Sequence, residues 1–456
     1  MSMFKWDLVD PKPGEAVMPH QRLAWGKTAG LGAQHVVAMF GATFVFPLVM
    51  GLDPNLAILF SGICTILFLL ICNNKVPSYL GTSASFVASV AAIRGLGGDS
   101  ADVTGAIMIA GVVLLLVGVL VHFAGAHLIH KILPPAVTGA VVMLIGFNLA
   151  PVVAGIYWPQ DQWVALLTAT FMVCAAVLFP GFWSRIAVFL ALIFGYLLSW
   201  VFDGVFGQIT SVPGGATEAV AHDRVSWAGV QAADWVGLPS GNLADGVSVV
   251  HGPSFSLTFI LLVLPGVIAL IAENTGHVKA VAEMTGDDLD PYMGRAIGAD
   301  GFATALASAF GGSPTTTYAE NIGVMGATKV YSTAAYYVAA AVAILLGLCP
   351  KFGAVVSATP GGVLGGITVV LYGMIGLVGA KIWVENRVDF GNPVNLVGLS
   401  AGLIAGIGGV TMKFSDNFEL SGIALGTILV IVFFHMVNRG HESASNRGAD
   451  EVTEAL

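Results

Sequence analysis

Gly311-Gly312-Ser313-Pro314-Thr315-Thr316-Thr317-Tyr318-Ala319-Glu320 lies in a chain that is otherwise largely apolar, and it cannot form a uniform lipid-facing helix. Two glycines and a proline interrupt helix, three consecutive threonines favour extended backbone, and a carboxylate follows them. Upstream, Val76-Pro77-Ser78-Tyr79-Leu80-Gly81-Thr82-Ser83-Ala84-Ser85-Phe86 has the same small and hydroxyl-rich character. Non-helical backbone at membrane depth is tolerated only where protein buries it or an aqueous cavity faces it. The two segments are therefore expected inside the protein and close together. Each should run as a short strand that turns into a half-helix with free N–H groups at its start.

The surrounding composition sets the class. Of 456 residues, 56% are apolar and 10% charged, with a mean hydropathy of +0.86, which describes an all-α polytopic membrane protein and excludes most soluble enzymes. The 58 glycines suit close helix packing and functional breaks. The formal charge of −9 is spread over loops and tails without a basic stripe, so no nucleic-acid partner is expected. Cys64, Cys72, Cys174 and Cys349 show no CxxC pair and no histidine cluster. They read as buried free thiols, and neither a metal site nor a cofactor is expected. Residues 1–27 form a polar N-terminal tail without the features of a cleaved signal peptide.

A bilayer core of ~30 Å needs about 20 apolar residues per helix. Fourteen segments qualify: 28–48, 55–72, 77–94, 103–122, 134–156, 163–179, 185–202, 255–275, 295–311, 315–331, 333–349, 358–380, 394–412 and 420–437. With both termini cytoplasmic, fourteen of the 18 Lys and Arg fall inside, and Arg94, Arg224, Lys351 and Lys413 fall outside. The polar stretch 203–254 becomes an external loop that divides the chain into seven spans plus seven. Because seven is odd, two repeats would be inverted relative to each other, as in many secondary transporters.

Three of the 27 acidic residues sit within predicted spans: Glu273, Asp300 and Glu320. An ionisable group there costs at least ~2.5 kcal/mol and marks a pathway or site by default. His277 lies four residues after Glu273, on the same helical face, so the two fit either a ligand site or a pair that holds helices together. Glu320 fits a ligand site or a carboxylate that satisfies a helix start; Asp300 is equally open. Gln34-His35 is a polar pair in the first span, where a buried histidine is more often an interhelical hydrogen bond. His122, His127, His130 and His435 read as interfacial. Phe86 and Tyr318 flank the breaks, where an aromatic can stack on a flat ligand or simply pack.

Two carboxyls, hydroxyls, aromatics and open backbone N–H groups, with no Arg or Lys at the breaks, disfavour an anion. They suit a neutral planar molecule with ring N–H donors and C=O acceptors, such as a nucleobase, although a small amide or polyol uses many of the same groups. No HExxH, GxSxG or DDxxD motif supports an intramembrane enzyme. Asp287-Asp288-Leu289-Asp290 reads as a solvated turn, and carboxyls beside broken helices disfavour a plain channel.

Glu320-Asn321-Ile322-Gly323-Val324-Met325-Gly326-Ala327-Thr328-Lys329 resembles the signature of the nucleobase/ascorbate transporter family. Gln34-His35 and Ala272-Glu273-Asn274-Thr275-Gly276-His277 resemble its first-span and eighth-span motifs. The likeness runs from about Gln21 to Asn438. It is strongest to bacterial uracil permeases, including the pyrimidine-utilisation branch, through Ala38-Met39-Phe40-Gly41-Ala42-Thr43, Gly51-Leu52-Asp53-Pro54-Asn55 and the two breaks. The resemblance implies fourteen spans in two inverted repeats, with short strands in spans 3 and 10. It implies a core domain (28–132 and 255–350) and a gate domain (133–202 and 351–437), followed by a cytoplasmic tail, 438–456. It also implies uptake of a nucleobase with protons, in a homodimer, across the bacterial inner membrane, with uracil as the first candidate and purines such as xanthine or urate as the alternative. By the same resemblance, Glu273 and Glu320 grip the base, and the backbone at Ala84 and Ala319 meets its carbonyls. Tyr318 covers the ring, with Phe86 beside it, while His277, His35, Glu273 and Asp300 serve the proton. Gln34, Asn321, Gly323 and Thr328 complete the motif. Ala84 stands where uracil permeases often carry Phe, so a stacking side chain is missing there while the backbone contact is retained.

Overall fold

A computed structural model describes residues 4–12, 15–125, 133–212, 218–415 and 418–454. His127, His130 and Lys131 lie outside them. The main helices run in chain order as α1 Trp25–Met50, α2 Pro54–Ile71, α3 Val87–Gly95, α4 Ser100–Ala124, α5 Pro135–Phe147, α6 Gln162–Leu178 and α7 Ala187–Phe206, then α8 Leu257–Thr285, α9 Asp290–Ser308, α10 Ala319–Thr328, α11 Thr333–Gly347, α12 Gly361–Glu385, α13 Pro393–Ile407 and α14 Gly422–Glu454. Eight of the described helices are long and apolar enough to cross a membrane unaided. A ninth crossing is completed if α11 and the short helix Pro350–Ser357, bent by 81°, count as one.

Local chemistry sets several of the ends. Asp53 caps α2 by accepting from the Leu56 N–H at 2.7 Å, with Pro54 as the first helical residue. Asp99 and Asp102 form a reciprocal capping box at the start of α4. Asp161 caps α6 through the N–H groups of Trp163 and Val164.

Eight strands occur among the described residues: β1 Asp7–Leu8, β2 Gln21–Arg22, β3 Leu80–Thr82, β4 Ile209–Ser211, β5 Val220–His222, β6 Thr315–Thr317, β7 Thr411–Ser415 and β8 Phe418–Ser421. The pair that matters is β3 with β6, antiparallel, with Gly81 opposite Thr316. A two-stranded sheet inside a membrane protein leaves two outer edges whose backbone groups need partners. On the β3 side, Ser61 Oγ donates to the Leu80 carbonyl at 2.6 Å and Thr65 Oγ1 accepts from the Leu80 N–H at 2.9 Å, both from α2. On the β6 side, Thr304 Oγ1 of α9 takes the Thr315 N–H at 3.1 Å and donates to the Thr315 carbonyl at 3.0 Å. The sheet is thus closed by hydroxyls of two helices.

Helix packing crosses between the two halves of the chain. α4 packs along α9, α2 along α11 and α5 along α12, while α6 pairs with α7 and α13 with α14. Gly118 lets α4 approach α9, since a Cβ there would strike the backbone of Gly298.

Several expected boundaries move. The eighth span does not stop at 275, because α8 continues to Thr285 and carries Lys279 and Glu283. α9 begins at Asp290, so the acidic turn ends one residue earlier than drawn. The fifth span is bounded as Pro135–Gln160, but after Phe147 its α-helix gives way to irregular turns that include Pro151 and the π-type stretch Val153–Tyr157. The thirteenth stops at Ile407 rather than 412, because Gly408-Gly409 ends the helix and β7 and β8 form a hairpin instead. The N-terminal tail is not a free polar arm. Trp6 Nε1 donates to Thr333 Oγ1 at 2.8 Å, and Val17 exchanges backbone bonds with Lys329 and Tyr331. The long loop is ordered in part: Arg224 bridges Asp161 and Asp203 at 2.6 and 3.1 Å, while Asp245 bonds Arg94 and Ser100. All four cysteines are free, but against the expectation of burial Cys174 on α6 is exposed and Cys349 is half-buried. Hydropathy marks a segment as apolar without saying which face meets lipid.

Candidate functional site

The site forms where β3 and β6 end and their half-helices begin. After β3 the chain makes a single 3-10 turn, Ala84–Phe86, before α3. After β6 it passes Tyr318 directly into α10, which has no side-chain cap. Ala319 and Glu320 are solvent-accessible there, while the eight residues before them are buried. Across from this start, α8 presents Glu273 and His277, both half-buried, and the open Gly276. Ala84 is also partly accessible. The accessible positions thus outline a cleft between α8 and the two breaks.

Three carboxyls share this neighbourhood: Glu273 lies within electrostatic range of both Glu320 and Asp300. The Thr316 hydroxyl sits beside the carboxyls of Glu273 and Asp300. Asp300 is fully buried on α9. One of its oxygens accepts from Asn274 Nδ2 at 2.6 Å. Its other oxygen, Oδ1, and the Thr316 hydroxyl are buried without a well-formed hydrogen bond.

A directed chain of hydrogen bonds leads from the cleft to Asp300. His277 Nδ1 meets Thr317 Oγ1 at 2.7 Å, Thr317 Oγ1 donates to Asn274 Oδ1 at 3.4 Å, and Asn274 donates to Asp300. With the threonine proton directed to Asn274, Nδ1 of His277 is the donor, and Nε2 is left as an acceptor. His277 therefore bonds the strand, and the Glu273–His277 helix pair is not formed. Thr317 and Asn274 connect α8, β6 and α9. Their roles were missed in the sequence because a threonine in a Thr-rich break and an amide next to a glutamate both look like filler.

The other motif residues divide into support and cleft. Asn321 is buried and donates through Nδ2 to the His35 carbonyl at 3.0 Å and to Nδ1 at 3.2 Å, which ties α10 to α1. The His35 ring packs on Tyr336 at 4.4 Å between centroids. Gln34 is half-buried beside it, and Gly323 has open space around it. Thr328 bonds the carbonyls of Val324 and Met325 and finishes α10.

Two residues expected to cover a ring, Tyr318 and Phe86, are buried within the protein in this structure. Tyr318 is 4% exposed; its hydroxyl donates to the Thr82 carbonyl at 2.8 Å and accepts from Thr43 at 3.2 Å. Its ring lies over Gly81, where any side chain would collide with it. Phe86 has no exposed surface and packs against Gly266 of α8. Aromatic residues beside a break are long enough to brace it: here Tyr318 packs on the strand pair and Phe86 on α8.

Two cavities of about 460 Å³ each lie away from the carboxyls, one between α5 and α12 and the other between α4 and α9. Among the described residues no cluster of His, Cys, Asp and Glu could hold a metal ion.

Comparison with known proteins agrees with this architecture. Residues 26–414 match the model of the permease family. RutG of Escherichia coli (strain K12), described as a candidate pyrimidine permease, is 42% identical over 450 residues, covering 96% of this chain and 97% of its own. The uracil permease of Bacillus caldolyticus is 35% identical over 436 residues, covering 93% and 95%. Among solved structures, the transmembrane domain of the cyanobacterial bicarbonate transporter BicA superposes with a TM-score of 0.56 at 14% identity, over 89% of this chain and 96% of that one. Murine Slc26a9, an anion transporter in the inward-facing state, gives 0.62 at 13% identity, over 91% and 68%. These two speak for the fold alone. The chain belongs to the permease family, the nucleobase/ascorbate family of the sequence motifs, and is a multi-pass membrane permease rather than an enzyme.

Proposed function

We propose, starting from that membership, that the chain imports a nucleobase, uracil in the first place and thymine next, together with protons across the bacterial inner membrane. The single observation that carries the reading is the convergence of Glu273 and Glu320, from two separate elements, on the uncapped start of α10. A flat uncharged base offers ring N–H donors to the carboxylates and carbonyls to the open N–H groups at Ala84 and Ala319. The names of the relatives, uracil and pyrimidine permeases, support the same substrate.

Coupling rests on a desolvation argument. A carboxylate enclosed in a cleft is costly while charged and unpartnered. A core that carries both a proton and a base crosses more easily than one carrying either alone. Glu273 is the coupling carboxyl, Asp300 within its electrostatic range is a second carboxyl able to hold a proton, and the hydrogen bonds from His277 through Thr317 and Asn274 hold Asp300 in place. His35, held by Asn321, positions α10.

The architecture we assign is fourteen spans in two inverted repeats, with the core (28–132 and 255–350) moving against the gate (133–202 and 351–437) in a homodimer with cytoplasmic termini. The exchange of partners between halves, α4 with α9, α2 with α11 and β3 with β6, supports it.

Radiolabelled uracil uptake tests the proposal. Uphill accumulation should collapse with a proton uncoupler and in Glu273→Gln, while excess unlabelled xanthine leaves it intact. Undiminished accumulation by Glu273→Gln would overturn the coupling, and competition by xanthine but not by uracil would move the substrate to purines.

A further inference from the structure

We propose that the groove between α4 and α9 binds an anionic phospholipid. Its cavity of about 460 Å³ is cationic at one end and apolar along the rest. The two helices run antiparallel, since Gly294 faces His122, Gly298 faces Gly118 and Gly301 faces Leu115. Arg295 and His122 therefore share one end, and Phe302, seven residues along α9, marks the other, roughly 10 Å away at the rise of an α-helix. The walls between are Val119, which is 45% exposed, and Leu115, while Phe123, 83% exposed, flanks His122 at the cationic end. Glycine on both helices leaves the floor without side chains.

Arg295 supplies the charge. It is half-buried, its guanidinium lies 5.8 Å from the ring centre of Tyr292, and among the described residues no carboxylate pairs with it. His122 is exposed in the last turn of α4. In the orientation proposed above, on which this step rests, that end lies at the cytoplasmic leaflet, where anionic headgroups collect. A phosphate bearing no cation of its own suits Arg295 and His122, and an acyl chain fills the apolar length. A free phosphate satisfies only the first end, and a zwitterionic lipid brings an ammonium that competes with the arginine. The opposite side of α9 holds Thr304 against β6, so the lipid would brace the helix that supports the sheet.

The test uses the delipidated full-length protein in detergent, titrated with phosphatidylglycerol or phosphatidylcholine and read by native mass spectrometry and by thermal shift. Wild type should prefer phosphatidylglycerol. Arg295→Gln should weaken that lipid about fivefold, the factor matching ~1 kcal/mol per basic residue near an anionic surface, and leave phosphatidylcholine unchanged. Val119→Trp, at an exposed wall position, should fill the groove and remove the preference while the protein stays folded. Equal binding of both lipids by wild type, unchanged phosphatidylglycerol affinity in both variants, or an equal thermal shift from inorganic phosphate alone would each overturn the proposal. Uracil binding measured on the same preparations reports separately on the proposed transport function.

Discussion

The two breaks are built alike and equipped differently. β3 and β6 pair with each other, each is closed on its outer edge by hydroxyls from a neighbouring helix, and each leads into a half-helix. At the first break Ser83 uses its own side chain to accept from the Ser85 N–H at 3.2 Å, and no charged side chain follows until Arg94. At the second break no side chain caps the helix, and Glu320 stands at the opening with Glu273 across from it. In the function proposed above, one half thus contributes backbone and shape, and the other contributes chemistry. A repeat that has to bind an asymmetric molecule gains from such a division, because only one set of polar groups has to match the ligand.

Substitutions that strike one half and spare the other test this division. The largest effect is expected from Glu320→Gln, which removes a charge-assisted bond of ~1.5–3 kcal/mol and should weaken uracil binding about ten- to hundredfold, whereas Ser85→Ala on the first half should change it less than twofold by the same calorimetric titration. Thr317→Val is next. It leaves His277 and Asn274 without their shared partner, at ~1–3 kcal/mol for a buried polar group, and should lower proton-coupled uptake about tenfold with expression unchanged. Ser83→Ala removes a cap worth ~1 kcal/mol and should lower the thermal midpoint by a few degrees while binding persists.

The smallest effect lies outside the membrane. Burial pushes the Asp245 carboxyl up, but hydrogen bonds from Ser100, Arg94 and the Val247 backbone outweigh it and hold the group down to about 2. A depressed carboxyl stabilises the folded loop fully above its unfolded value, near 4, and loses that contribution as pH falls toward 2. The hydrogen-exchange protection factors around 243–249, referenced to the intrinsic rate at each pH, should therefore stay constant from pH 7 to about 4 and fall below it, and Asp245→Asn should show the lower protection above pH 4. A loss of protection already at pH 6 would contradict the clamp.

The breaks and the carboxyls were legible in the sequence for a shared reason. Gly311, Pro314 and three threonines cannot continue a helix, and Glu273 or Glu320 in an apolar run is too costly to be incidental. The supports were not legible. Ser61, Thr65 and Thr304 look like ordinary hydroxyls in membrane helices, which commonly bond the carbonyl one turn back, and only the fold reveals that they close strand edges. Tyr318 and Phe86 had the right neighbours for ring contact, yet whether an aromatic faces a cleft or a brace depends on a rotamer. The docking of Val17 on Lys329 and the β7–β8 hairpin were also hidden, because hydropathy registers apolar length and says little about short polar segments.

The most direct measurement is isothermal titration of uracil into the purified protein and into the Glu273→Gln, Glu320→Gln double variant, with thermal unfolding of each recorded alongside. Two acidic side chains gripping an uncharged ring predict that the double variant unfolds near the wild-type temperature and binds uracil at least about a hundredfold more weakly. A folded double variant that binds uracil as tightly as wild type would contradict that claim.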